Sequence, residues 1–314
     1  FIMTNPFKNK DILSSKEITK DELTFFLNYT EEIEKAATKY KTLDLCKSEI
    51  LATIFFEPST RTRLSFESAM LRLSGQMITV EQAFLSSAKK GETLEDMARV
   101  LSPYADVSVI RHPEVNSASK FASASTIPVI NGGDGQNEHP TQALLDLYTI
   151  YKYKKHIEPG MTIGFLGDLK NGRTVHSLIE VLNYYQLNYV FISAPELQLD
   201  PAVVNKIKES GSSVTVTDQL DDVIPSLDII YSTRIQEERF SDPAEYQKVK
   251  GQFQLNGKVI KDCKNDTIIL HPLPRLDEIA PDVDNDPRGI YFQQAENGLY
   301  ARMALLSLVL DKML

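Results

Sequence analysis

Ile50-Leu51-Ala52-Thr53-Ile54-Phe55-Phe56-Glu57-Pro58-Ser59-Thr60-Arg61-Thr62-Arg63 is the stretch that decides the fold. Residues 50–56 are an apolar run of the length expected for a buried strand. Pro58 cannot donate to a strand ladder and ends it. Helical spacing of apolar side chains resumes over 62–73, and Gly75 closes that run. A buried strand that passes at once into a helix is the repeating unit of an α/β fold.

The same rhythm continues outward. Leu23, Phe26, Leu27, Ile33 and Ala37 place a helix over 20–40. Beyond Gly75 the pattern predicts strands over 76–80, 107–110 and 127–130, and helices over 92–101, 117–124 and 141–153. The glycine-rich residues 131–135 read as a turn. Residues 152–160 are charged and end in Pro159-Gly160, which marks a domain boundary. The second half predicts strands over 161–166, 189–193, 214–216, 229–232 and 268–270. Its helices fall over 175–185, 203–209 and 295–314. Alternating strands and helices imply right-handed crossovers and mainly parallel sheets. The expected architecture is therefore α/β, with two doubly wound domains flanked by helices and an active site in the interdomain cleft, near the carboxyl ends of strands.

Bulk properties narrow the function. A chain of 314 residues suits two domains. Its net charge of −9 gives no basic face for nucleic acid, so an anionic substrate needs locally gathered cations. Cys46 and Cys263 are too few and too distant for a disulfide framework or zinc site. The five scattered histidines suggest no metal. No apolar run is long enough to span a membrane. Phe1-Ile2-Met3 does not resemble a signal peptide, and Met3 is the expected natural start. A reducing cytoplasm is the simplest setting.

Residues 57–63 occupy the join between strand and helix, where free N–H groups and the helix dipole attract anions. Ser59, Thr60 and Thr62 add hydroxyl donors, and Arg61 adds a planar fork for phosphate oxygens. Ser and Thr are also ordinary N-caps. A cap needs only one hydroxyl, however, and the absence of glycine excludes a P-loop here.

With these residues in view, Glu57-Pro58-Ser59-Thr60-Arg61-Thr62-Arg63 resembles the carbamoyl phosphate signature of the aspartate and ornithine carbamoyltransferases. Ordered matches follow at Lys89-Lys90-Gly91-Glu92-Thr93, Arg111-His112-Pro113, His139-Pro140-Thr141-Gln142 and Gly167-Asp168-Leu169-Lys170. Others are Gly172-Arg173-Thr174-Val175-His176-Ser177, Thr233-Arg234-Ile235-Gln236 and His271-Pro272-Leu273-Pro274-Arg275. The resemblance implies a carbamoyl phosphate domain over 3–155, completed by the helix 295–314, and an aspartate domain over 156–294.

It also implies site roles. Ser59, Thr60, Arg61, Thr62, Ser86, Lys90, Arg111, His139, Gln142, Pro272 and Leu273 would hold carbamoyl phosphate. Lys90, Arg173, Arg234, Gln236 and Leu273 would hold aspartate, and the catalytic roles fall on Arg61, Thr62, Lys90, Arg111 and His139. Taken alone, His139 could equally be a cap or a core histidine, and a single arginine after a strand is usually a solvated one. Arg111 is expected just past a strand end. No cofactor or metal is implied.

The implied reaction is carbamoyl transfer to the amine of L-aspartate in pyrimidine biosynthesis. Ornithine enzymes of the family typically carry a His-Cys-Leu-Pro turn and a Ser-Met-Gly loop. This chain has His271-Pro272-Leu273-Pro274 and no Ser-Met-Gly, and its arginines suit an acidic substrate. One departure is Asn171, where a tyrosine is familiar. It bears on domain closure or aspartate affinity rather than on the reaction.

Two rival readings compete. Gly167-Asp168-Leu169-Lys170-Asn171-Gly172-Arg173-Thr174 has P-loop spacing, but Arg173 replaces the lysine that reaches the terminal phosphates. ATP binding would favour that reading. A non-catalytic two-domain binding protein would also gather arginines, but has no use for His139 with Gln142.

Residues 82–91 read by composition as a solvated basic loop. The resemblance instead sends Ser86 and Lys90 into a neighbouring subunit's site, implying a homotrimer, and it allows a separate regulatory chain. Mixing an Arg61→Ala chain with a Lys90→Ala chain should therefore restore activity through hybrid sites that carry neither defect. Verified mixed trimers that stay inactive would count against sharing.

Overall fold

Thr19 opens the first helix with a reciprocal cap. Its side chain accepts from Glu22 N–H at 3.3 Å, while the Glu22 carboxylate accepts from Thr19 N–H at 2.8 Å. The computed structural model of the chain describes residues 4–81, 91–237, 240 and 242–314. The chain divides into two compact units, Phe1–Tyr148 with Glu296–Leu314, and Thr149–Ala295.

The first unit runs α1 (Lys20–Tyr40), β1 (Ile50–Phe55), α2 (Thr60–Arg72), β2 (Gln76–Glu81), α3 (Leu94–Leu101), β3 (Val107–His112), α4 (Ser117–Ala122) and β4 (Val129–Asp134). The division between the units falls inside α5 (Pro140–Lys154). The sheet order is β2-β1-β3-β4, with every pair parallel. Because β2 and β3 leave β1 on opposite sides, the winding reverses between β1 and β3. That switch point is where open α/β sheets place ligands. Ile54, Phe56, Met97, Ile110, Phe121 and Val129 pack into one apolar cluster of this unit. Each such side chain contributes about 1.5–3 kcal/mol through removal from water.

The second unit runs β5 (Thr162–Leu166), α6 (Arg173–Leu182), β6 (Asn188–Ile192), α7 (Pro201–Glu209), β7 (Ser213–Thr217), α8 (Leu220–Val223), β8 (Ile229–Ser232), α9 (Pro243–Val249) and β9 (Ile268–Leu270). Its sheet is β7-β6-β5-β8-β9, again parallel throughout, so the switch lies between β5 and β8. Its core joins Leu166, Ile192, Leu227, Ile230, Ile269 and Tyr291. The last helix, α10 (Tyr291–Val309), carries the chain from this unit's residues to those of the first.

The α/β class and both parallel sheets agree with the sequence reading, but several boundaries differ. Of the residues expected as a turn, 131–135, the first four belong to β4. Two asparagine bonds explain this. Asn131 Nδ2 donates to Leu13 O at 2.9 Å, and its Oδ1 accepts from Gly133 N–H at 2.8 Å. The second is an Asx-turn bond, so the local turn chemistry is accommodated within the strand as a bulge. Arg111 lies within β3 rather than past its end, since the parallel ladder to β1 continues through Phe55 opposite Arg111. The closing helix starts earlier and stops earlier than 295–314. Asp311 turns left-handed at φ 57°, and Lys312 N–H donates to Ser307 O at 2.7 Å. A left-handed residue of this kind is a common way to end a helix. Helix α9 has no counterpart in the sequence reading; Asp242 caps it and Pro243 occupies its first turn.

Gly167, just past β5, has φ +108°, and a Cβ there would stand 2.2 Å from Thr233 O. The loops after β5 and β8 can approach this closely only over a glycine. Gly167→Ala should lower unfolding stability by about 2–3 kcal/mol, through strain plus displacement of the Thr233 backbone. Urea unfolding checks this; a loss below about 0.5 kcal/mol would show that the contact relaxes freely.

Candidate active site

In the first unit, the turn after β1 is tied to β3 by Phe56 N–H donating to Arg111 O at 2.9 Å. Ser59 occupies the N-cap position of α2, yet its hydroxyl makes no capping bond. The first-turn N–H groups of α2 are therefore not consumed by that side chain. Thr60 and Arg61 are exposed, whereas Thr62 is buried. Thr62 Oγ1 lies 3.5 Å from His139 Nε2. Arg63 points its charge at Glu67, 3.7 Å away. That partner is one turn along the helix, which separates the role of Arg63 from that of Arg61.

Arg111 is aimed by a bulge. Ile110 pairs with Asn131 and His112 with Asp134, so Arg111 alone opposes Gly132 and Gly133. Bulges re-aim side chains in this way near functional sites. Arg111 Nη1 donates to Gly132 O at 3.3 Å, and its Nε lies 3.3 Å from Glu57 Oε2. His112 beside it accepts from Glu114 N–H at 3.0 Å through Nδ1 and stacks edgewise on Phe56. Burial lowers its imidazole below the ordinary histidine value.

His139 stands immediately before α5, and its carbonyl accepts from Gln142 and Ala143 N–H. Its ring is almost wholly buried, at 3% exposure. Nε2 faces Thr62, and Nδ1 lies 3.5 Å from Thr141 Oγ1. A helix start opposes a cationic ring, which suits a neutral imidazole. One turn on, Gln142 Nε2 donates to Asp146 Oδ1 at 2.8 Å.

In the second unit, Arg173 is the first residue of α6 and follows the turn 167–172 from β5. Asp168 is fully buried and binds Asn171 three ways, accepting its N–H at 3.0 Å and its amide Nδ2 on both oxygens at 3.1 Å. Gly172 is required beside it, because a Cβ would come within 2.6 Å of Asp168 O. Arg234 and Gln236 follow β8, and Gln236 Nε2 reaches Asn171 O at 3.3 Å. The two loops that flank the switch between β5 and β8 are thus joined directly.

The turn after β9 is braced from both ends. His271 Nδ1 accepts Leu273 N–H at 2.8 Å, and Nε2 lies 2.7 Å from Glu278 Oε1. With Nδ1 accepting, the ring proton sits on Nε2 and is donated to the carboxylate. Leu273 has φ +46°, and the following bond to Pro274 is cis. That left-handed conformation is one that side chains rarely adopt. Arg275 forks onto Asp284, with Nη2 2.6 Å from Oδ2, and donates to Tyr291 at 2.9 Å. The planar guanidinium suits both partners. Pro272 and Leu273 are partly buried within this turn.

Ser86 and Lys90 lie outside the described residues. Within its own unit, each remaining candidate falls at the carboxyl end of a strand or the start of a helix. The supporting groups Glu57, Thr141, Asp146 and Glu278 escaped the sequence reading. Glu57 and Thr141 sit inside quoted motifs, and Asp146 follows Gln142 by one helical turn, so spacing could have raised all three. Glu278 carries no local signal. Among the described residues, no group of three or more His, Cys, Asp or Glu side chains could hold a metal ion. No described helix is long and apolar enough to cross a membrane.

Two parallel-sheet units, each with arginine-bearing turns beside the switch point of its sheet, define a two-domain open-sheet α/β protein. The family model "Aspartate/ornithine carbamoyltransferase, carbamoyl-P binding domain" matches residues 10–152, and "Aspartate/ornithine carbamoyltransferase, Asp/Orn binding domain" matches residues 159–309. The chain belongs to the aspartate/ornithine carbamoyltransferase family. It is 49% identical to the aspartate carbamoyltransferase catalytic subunit of Thermococcus kodakarensis over 304 residues, covering 97% of this chain and 98% of the relative. It is 45% identical to the catalytic subunit of Chromobacterium violaceum over 303 residues, covering 96% and 98%. Among solved structures, the catalytic subunit of M. jannaschii aspartate transcarbamoylase superposes with a TM-score of 0.91 at 44% identity, covering 96% and 98%. The Trypanosoma cruzi aspartate transcarbamoylase complexed with N-(phosphonacetyl)-L-aspartic acid gives 0.92 at 35% identity, covering 98% and 97%.

Glu278 supplies a pH test of the turn after β9. Burial works to raise its carboxyl, but the His271 bond and the Leu276 N–H outweigh that and hold it below the ordinary value of 4.5. A lowered native value stabilises the fold above pH 4.5, and that contribution disappears as pH falls through the native value. Glu278→Gln should cost about 1–2 kcal/mol near neutrality. The gap between variant and wild type should narrow below pH 4.5 in chemical unfolding. A gap that stays constant with pH would refute the role of the ionised Glu278 carboxylate.

Proposed function

We propose that this chain transfers the carbamoyl group of carbamoyl phosphate to the amine of L-aspartate, giving N-carbamoyl-L-aspartate and phosphate for pyrimidine biosynthesis. Family membership and the names of its relatives support the reaction. The observation that carries the choice of aspartate is the pair Arg173 and Arg234. They follow β5 and β8, neighbouring strands of one parallel sheet, Arg173 at the start of α6 and Arg234 in the loop after β8, and the segments after the two strands are linked by the Gln236–Asn171 bond. A dicarboxylate calls for two guanidinium forks at one sheet end.

In this reading the domain containing residues 3–155 and 295–314 binds carbamoyl phosphate, and residues 156–294 bind aspartate. Ser59, Thr60, Arg61 and the start of α2 hold the phosphate. Thr62, Arg111 and His139 donate to the carbamoyl oxygen as negative charge grows there. Gln142 and the backbone of Pro272 and Leu273 receive the carbamoyl amide. Arg173, Arg234 and Gln236 bind the aspartate carboxylates beside Leu273. Ser86 and Lys90 enter from a neighbouring chain, so the active unit is a homotrimer.

No side-chain nucleophile is needed. The amine attacks the carbonyl carbon, the carbon–oxygen bond to phosphate breaks, and the departing phosphate accepts the amine proton. Catalysis comes from orientation and charge stabilisation. Cys46 and Cys263 take no part. Both are buried and unpaired with each other, and burial pushes their thiols up to about 12 and about 11. A thiol held protonated is a poor nucleophile. Reduced cysteines of this kind fit a cytoplasmic setting.

Supplying carbamoyl phosphate with either aspartate or ornithine, and measuring ureido product, tests the reading. Product is expected with aspartate only. Arg234→Ala should raise KM for aspartate by roughly 100-fold, the loss of a charge-assisted bidentate contact. Ureido product from ornithine alone would overturn the assignment.

A further inference from the structure

Arg302, on α10, is a buried cation that the reaction above does not use. It is 4% exposed. Keeping a guanidinium in such a place is costly unless its contacts repay it. Burial lowers it to about 10, which the Asp146 carboxylate partly opposes, so it remains charged at neutral pH. Its Nη1 donates to Ser65 Oγ at 3.1 Å and Gly298 O at 3.4 Å, and its Nη2 donates to Thr141 Oγ1 at 3.5 Å. The guanidinium lies 5.0 Å from the centre of the Phe66 ring, within cation–π range. Its Nε is buried with no hydrogen-bond partner among the described residues.

The helix makes room for it. Gly298 stands one turn before Arg302, inside α10, where glycine costs about 1 kcal/mol relative to alanine. A Cβ at Gly298 would stand 2.8 Å from Arg302 Nη1 and 3.1 Å from Leu145 Cδ2.

Hydrogen-bond polarity then connects Arg302 to the carbonyl-binding side chains. Arginine only donates. Thr141 Oγ1, accepting from Arg302, is left to donate its own hydrogen to His139 Nδ1, 3.5 Å away. An occupied Nδ1 lone pair puts the ring proton on Nε2, the nitrogen facing Thr62. In parallel, the Asp146 carboxylate only accepts, so the amide nitrogen of Gln142 must face it. The Gln142 carbonyl oxygen is then left to accept from an N–H group. One tautomer and one amide orientation result: a donor for a carbonyl oxygen beside an acceptor for its amide.

We propose that Arg302 is a positioning residue that acts through Thr141 to set the His139 tautomer. This rests on the carbamoyl-transfer reading above. A lysine cannot reproduce it, because a single ammonium does not reach Ser65, Gly298 and Thr141 as a planar fork does.

Steady-state kinetics and ring-nitrogen NMR of ¹⁵N-histidine-labelled protein test the proposal on Arg302→Lys and Arg302→Met. Wild-type His139 should show a single tautomer with its proton on Nε2. In folded variants the ring nitrogens should shift toward a tautomer mixture, and kcat should fall about 10–100-fold, with KM for aspartate changed by less than about threefold. Folded variants with unchanged His139 shifts and kcat within about twofold of wild type would overturn it. If neither Arg302 variant folds, Thr141 decides. Thr141→Val should lose the tautomer preference and the rate, Thr141→Ser should keep both, and equal behaviour of the two would overturn the relay. A wild-type chain that forms no ureido product would defeat the reaction itself, whereas the His139 shifts report on Arg302 independently.

Discussion

Parallel pairing is the constraint on which everything else depends. Neighbouring parallel strands end on the same side, so each strand-to-helix turn emerges at one edge of its sheet. Where the winding reverses, between β1 and β3 and between β5 and β8, adjacent turns diverge and leave room for a ligand. Residues from distant parts of the chain thus reach one edge of their unit without a dedicated loop. Arg111 needs one extra residue in β4 to turn its side chain, and the Gly132-Gly133 pair supplies it.

Much of the candidate site is held by polar groups that sit one contact behind it. Asp168 fixes Asn171, Glu278 fixes His271, and Asp146 fixes Gln142. Each is a largely buried carboxylate that accepts from a residue near a turn. The arrangement is consistent with chemistry that depends on orientation rather than on a reactive nucleophile, since small displacements of donors are costly in such catalysis. Asn171 illustrates the local solution. A tyrosine is familiar at this position, but here a short amide folds back on Asp168 and the backbone offers its carbonyl to Gln236.

The helices and strands were readable wherever apolar periodicity was strong, as in α1, β1 and the central strands of the second sheet. The reading failed where polar side chains met backbone needs that periodicity ignores. Asn131 and two glycines look like a turn yet complete β4 as a bulge, because Ile12 and the side chains of Asn131 and Arg111 satisfy backbone groups there. The end of α10 was also missed: its stop is a left-handed Asp311, with no glycine or proline to announce it.

The sequence by itself determined the α/β class, the two-part division and a strand-to-helix join rich in hydroxyls and arginine at Ser59-Thr60-Arg61-Thr62. These depend on local chemistry: apolar period, hydroxyls and an arginine at a helix start. Only the tertiary structure decided which nitrogen of His139 faces Thr62, why Gly167 must be glycine, and that Arg302 bonds Thr141 beside His139. Arg302 is 161 residues from Thr141 in the chain, and only packing of α10 on the start of α5 could bring them together.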